Sequence, residues 1–130
     1  MCYLRSHSTI NDMNSLGFIG KLMYAGPMAM FGIFHFMSAD DMAGYVPNFL
    51  PAPVAFVYLT GIALILAAVA IVLGKKAKLA TQLLGLMLAL FALLIHFKGF
   101  MNQDPLGSSM FLKDIALAGA AWFMSTHLHD

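Results

Sequence analysis

Three residues in this chain have the type and placement to do chemistry: His35, His96 and Lys113. Each belongs to a stripe of small residues at three- and four-residue spacing, the pattern that lets apolar helices pack closely. Ala25, Ala29 and Gly32 lead to His35; Gly85, Ala89 and Ala92 lead to His96; Lys113 opens a stripe with Ala116 and Ala120. An imidazole so placed can hydrogen-bond a quinone carbonyl, and a nearby ammonium can stabilise the anion formed on reduction. Two facing imidazoles can instead ligate the iron of a b-type haem. Each residue also has a plainer role. The histidines lie near the ends of their apolar runs, where imidazole reaches water, and Lys113 can extend its ammonium outward.

The elements that must position them are four apolar runs, at 16–37, 54–73, 79–97 and 109–126, separated by short polar breaks. As a helix, each run is long enough to cross the ~30 Å hydrocarbon core of a bilayer. Backbone groups in lipid must bond within their own segment, which selects helix. The alternating segments of a membrane barrel are missing. The expected fold is all-α: an integral membrane four-helix bundle, one transmembrane domain over residues 1–130.

Composition agrees. Of 130 residues, 61% are hydrophobic and only 10% charged, against about 25% charged in soluble domains. A net charge of +1 supplies no basic field for nucleic acid. Cys2 is the single cysteine, so an internal disulfide and a C-x-x-C redox pair are excluded. Redox chemistry would need a bound cofactor or a partner. The first run holds Lys21 and His35 and no clear A-x-A site follows it, so it reads as a retained span rather than a signal peptide.

Charge sets the expected orientation. The turn after the second run carries Lys75, Lys76 and Lys78, whereas the first break holds Asp40 and Asp41 and no base. The positive-inside rule puts the lysine turn in the cytoplasm. With four spans, both termini are then cytoplasmic, and the breaks at 38–53 and 98–109 face outward. His35, His96 and Lys113 converge at the outer end. The second stripe, Ala63, Ala67, Ala70 and Gly74, carries no ionisable residue.

The segment Tyr45 to Pro53 holds Pro47, Pro51 and Pro53 and resists helix. It reads as a stiff loop anchored among headgroups by Tyr45 and Phe49, or as a lid over a pocket. Pro27 removes one hydrogen bond inside the first span and predicts a kink. Asp114 is expected to pair with Lys98, or to place negative charge near the N-terminus of the fourth helix. Asp40 and Asp41 read as a solvated turn. His127 and His129 supply two ligands, too few for a metal site.

Several of these residues also form an ordered pattern. Gly32-Ile33-Phe34-His35-Phe36 closes the first span, the Pro47–Pro53 segment follows, Thr60-Gly61 lies in the second span, and Lys113 to Gly119 opens the last. This order resembles the DoxX-like family of small bacterial membrane proteins, over most of residues 17–125. The resemblance implies a four-helix bundle in the bacterial inner membrane. Some members serve as membrane subunits of redox systems, including a thiosulfate:quinone oxidoreductase; others assist assembly of partner proteins. His35 and Lys113 fall where that pattern is polar. The acidic residue that often follows the second-span glycine is replaced here by Ile62 to Ile65, which favours an accessory role over autonomous catalysis.

Three functions fit. The first is an accessory membrane subunit that anchors or stabilises partners in a larger, redox or respiratory, complex, with no catalytic activity of its own. The second is a quinone or lipid-headgroup binder using His35, His96 and Lys113 near the outer leaflet. The third is a bis-His haem b protein. The lipid bilayer is the expected partner in all three, together with other membrane subunits or a second copy of the chain. Apart from the iron of a haem, nothing in the spacing of His35, His96 and the aspartates requires a metal.

Overall fold

A computed structural model describes residues 2–129, with side chains from Ser15 onward. Cys2, on which the disulfide exclusion turned, lies outside the described side chains, and Asp130 outside the described residues. Helix makes up most of the chain, and no strand occurs among the described residues. Helix α1 spans Cys2–Met37, α2 Ala39–Ala43, α3 Pro53–Leu73, α4 Ala77–Phe91, α5 Phe97–Met101 and α6 Pro105–Ser125. A π-helical turn, Ala92–His96, joins α4 to α5 in one rod.

The helix ends follow from local chemistry. Pro53 and Pro105 open α3 and α6, where a missing N–H costs nothing and the fixed φ already suits the helix. Asp104 caps α6 by accepting the Gly107 N–H at 2.9 Å, a role the sequence reading had not assigned. Gly74 ends α3 at φ 71, its N–H bonded to the Ala70 carbonyl. The α5–α6 turn closes with the Asp104 N–H on the Gly99 carbonyl and the Gln103 N–H on the Phe100 carbonyl. This is a Schellman turn with glutamine in the left-handed position, φ 58. Helix α1 runs on through Pro27. The first break contains the short helix α2, with Asp40 and Asp41 exposed in its first turn, before the proline-rich segment begins.

Three segments are long and apolar enough to cross a membrane: Ser15–Met37, Pro53–Leu73 and Ala77–Met101. Their outward faces are apolar; Leu59 and Leu66 of α3 are 62% and 63% exposed, surface that water would not tolerate in such quantity but lipid would. Helix α6 matches α3 in length, but Ser108, Ser109, Lys113 and Asp114 make its first half more polar.

Packing pairs α1 with α3 and α4 with α6, and α3 joins the two pairs through α4. Glycine permits both close pairings. A Cβ on Gly32 would lie 2.8 Å from the Gly61 carbonyl oxygen, and one on Gly61 3.0 Å from that of Gly32. A Cβ on Gly85 would enter the indole of Trp122, whose Nε1–H donates to the Gln82 carbonyl at 3.1 Å. Among the described residues the α1 and α6 backbones do not approach each other closely. Side chains bridge that gap: the Tyr24 hydroxyl donates to the Leu117 carbonyl at 2.7 Å.

The small-residue stripes are partly as expected. Ala25, Gly32, Gly85 and Ala92 are buried. On α6 the buried line is Asp114, Ala118, Ala121 and Ser125, one position round from the expected Lys113, Ala116 and Ala120. On α3 it runs through Val57, Gly61, Leu64, Ala67, Ala68 and Ile71, and Gly74 is exposed. Small residues occur on several faces of these helices. The face that becomes buried is set by where the partner's bulk lies.

Candidate functional site

The core is filled by Met28, Leu64, Ile71, Leu84 and Ala121. At the end of the bundle away from the lysine turn, the helices line a partly open cavity of about 770 Å³. That lies within the ~300–1,000 Å³ usual for small-molecule sites. Its walls are apolar, with Phe31, Phe34, Val57, Leu88 and Phe91 among them. Tyr45, Val46, Pro47 and Leu50 contribute a wall from the proline-rich segment, while Phe49 points away and is 72% exposed. The segment therefore turns Tyr45 toward the pocket and leaves Phe49 on the outside.

His35, His96 and Lys113 all line this cavity. Each arrives there for a local reason. His35 sits one turn beyond Gly32, and a Cβ on Gly61 would meet the His35 Cβ at 3.0 Å, so the α1–α3 crossing holds the histidine against α3. Its Nδ1 lies 2.6 Å from the Phe31 carbonyl oxygen of the preceding turn. A carbonyl only accepts, so Nδ1 carries the hydrogen and Nε2 is left for the cavity.

His96 is the last residue of the π turn. Such a turn inserts one extra residue, which rotates the downstream residues by about 100° around the helix axis. The rotation brings His96 to α6, where Nδ1–H donates to Asp114 Oδ2 at 2.6 Å. Asp114 is 4% exposed. This corrects the expected pairing with Lys98: the buried line of α6 starts at Asp114, and its buried carboxylate takes the half-buried imidazole that faces it. The Gly99–Gly107 contact locks this corner, since a Cβ on Gly107 would lie 2.7 Å from the Gly99 Cα.

Lys113 does not lie on the buried line. It is exposed on α6, and its ammonium stands 4.8 Å from the centroid of the Phe31 ring, a cation–π contact that spans the α1–α6 gap. Phe31 thus faces Lys113 with its ring and supplies the carbonyl that anchors His35. Asp104 and Thr60 also line the cavity; the Thr60 hydroxyl donates to the Phe56 carbonyl at 2.8 Å.

The sequence reading missed the role of Asp114 and the π turn. An aspartate inside an apolar helix, three and four residues before Leu117 and Ala118, was the available signal for the first. The π turn had none. At the opposite end, His127 packs edge-on against Phe123 with ring centroids 5.1 Å apart.

Residues 24–108 match the family described as a domain of unknown function, DUF8561. The chain belongs to that family. The matched segment includes His35, the proline-rich wall and His96, and ends before Lys113 and Asp114. No curated protein and no solved structure matches the chain.

Proposed function

We propose that this protein is a four-span membrane protein that binds the polar head of an apolar-tailed ligand, of the quinone or lipid-headgroup kind, in the cavity lined by His35, His96 and Lys113. One observation carries the reading: residues from three separate helices, each with its own anchoring contact, line a single cavity of about 770 Å³. A filler role would not need both imidazoles tethered through Nδ1. That tethering orients a ring so that its other nitrogen serves a ligand. Haem ligation would use the same nitrogens, and a coloured preparation with a Soret band would favour it over a quinone.

In this reading α6 is the fourth span and the lysine turn faces the cytoplasm of a bacterial cell. The cavity then opens near the outer leaflet, and both termini lie inside. The DoxX-like motif order points toward the same quinone chemistry. The alternative, an accessory subunit of a larger redox or respiratory complex, draws support from exposed apolar residues such as Leu59, Leu66 and Phe123, which a partner helix or a second copy could cover.

Native mass spectrometry after extraction in mild detergent tests the proposal. The expected result is a retained small apolar molecule, lost when His35 and His96 are both replaced by alanine. Wild-type protein that retains nothing and binds none of added decylubiquinone, decylhydroquinone and dioctanoylglycerol would overturn it. Co-migration with larger subunits would favour the accessory role.

A further inference from the structure

The hydrogen-bonding pattern around the cavity goes beyond its capacity to hold a ligand. We infer that the site selects a head that donates a hydrogen bond, a hydroxyl, over one that only accepts; for a quinone-type ligand this means the reduced quinol. The inference rests on reading the cavity as the ligand site.

The argument is an inventory of protons. His35 spends its Nδ1–H on the Phe31 carbonyl at 2.6 Å. His96 spends its Nδ1–H on the Asp114 carboxylate at 2.6 Å. In a neutral imidazole one ring nitrogen is a donor and the other an acceptor, so each ring, in its neutral form, presents an Nε2 lone pair. Neither Nε2 has a hydrogen-bond partner among the described residues. Thr60 spends its hydroxyl proton on the Phe56 carbonyl and offers only lone pairs. The Asp104 carboxylate is also an acceptor, and it receives the Gly107 N–H. Against these acceptors stands Lys113, whose ammonium only donates. The Tyr45 hydroxyl can do either and does not discriminate.

A quinone carbonyl satisfies Lys113 alone and turns its lone pairs toward those of the imidazoles. A quinol hydroxyl accepts from Lys113 and donates to an imidazole Nε2. Sites whose buried polar groups are left unpaired by the wrong ligand discriminate strongly against it. Asp114 is the positioning residue: it holds His96 in the tautomer that makes Nε2 an acceptor. A hydroxyl head could belong to a quinol or to a lipid such as a diacylglycerol, and the two sources share this chemistry.

The test compares ligands on one sample of full-length protein in detergent, under argon, by equilibrium dialysis. The probes are decylhydroquinone, its quinone, its di-O-methyl ether and dioctanoylglycerol. We expect the hydroquinone or the diacylglycerol to bind at least tenfold more tightly than both the quinone and the ether; whichever does so identifies the source. In Asp114→Asn the amide can donate to Nδ1 and turn Nε2 into a donor, so the hydroquinone-to-quinone preference should fall several-fold. A ratio of affinities in one sample does not depend on the fraction that is folded, so partial misfolding cannot mimic this result. Equal binding of hydroquinone, quinone and ether, or tighter binding of the quinone, overturns the donor selection and leaves the cavity as a ligand site. Binding of none of the four removes the cavity reading itself.

Discussion

His96 and Asp114 meet at 2.6 Å across the seam between the π turn and α6. The carboxylate is buried, so the imidazole N–H is what keeps it satisfied. Asp114→Ala should cost about 1–3 kcal/mol, and the double variant with His96→Ala should be non-additive by about 0.5–3 kcal/mol. Lys113→Ala, which removes an exposed cation–π contact, should cost no more than about 1 kcal/mol. Denaturation in detergent micelles would measure all of these. Strict additivity of the pair would show that the contact contributes nothing.

The Gly32–Gly61 crossing holds His35 against α3. In Gly61→Ala the new methyl meets the Gly32 carbonyl and the His35 Cβ, each at 3.0 Å, so the helices must part at a cost of about 1–3 kcal/mol. Gly119→Ala is the matched control. Nothing lies within 4 Å of its added Cβ, and replacing a helical glycine by alanine should stabilise by up to about 1 kcal/mol. Opposite shifts in melting temperature are expected, and ligand binding should weaken only in the first variant.

Gln103 holds the left-handed position of the α5–α6 turn at φ 58, where a side chain is strained and glycine is not. Gln103→Gly should raise stability by about 0.5–1 kcal/mol. Gly74→Ala, made at φ 71, should lower it by a similar amount. If Gln103→Gly melts earlier than the parent, backbone strain is not what matters at this turn.

The orientation can be read by labelling. In a Cys2→Ser background, a cysteine at Lys76 should react with a membrane-impermeant maleimide only in inverted vesicles, and one at Phe49 only in right-side-out cells. Labelling of both from the same side would exclude a path that puts the lysine turn and the proline-rich segment on opposite faces.

Much of the architecture was readable because long apolar runs admit few structures, and the helices follow them closely; the ends set by Pro105, Gly74 and Asp104 are ordinary backbone chemistry that the apolar pattern alone does not single out. His35 and His96 were found because Gly32, Gly85 and Ala92 mark faces that pack. Lys113 was found by a stripe that the fold does not use; it reaches the cavity from an exposed position by leaning over Phe31. The π turn at Ala92–His96 and the Asp114 contact were out of reach for one reason. Both depend on how α6 is rotated against the neighbouring rod, a relation between residues far apart in the chain, to which local spacing is blind.

The side-chain seam between α1 and α6 bears on what an affinity for this protein would mean. A molecule with an apolar tail dissolves in the bilayer before it meets any protein, so its relevant concentration is a mole fraction among lipids. Where Tyr24 reaches Leu117 and Lys113 covers Phe31, the wall facing that reservoir consists of rotatable side chains. Rotamer changes there are fast beside the separation of packed helices. Dissociation constants quoted per litre should therefore drift with the lipid-to-protein ratio, and those expressed per lipid should coincide.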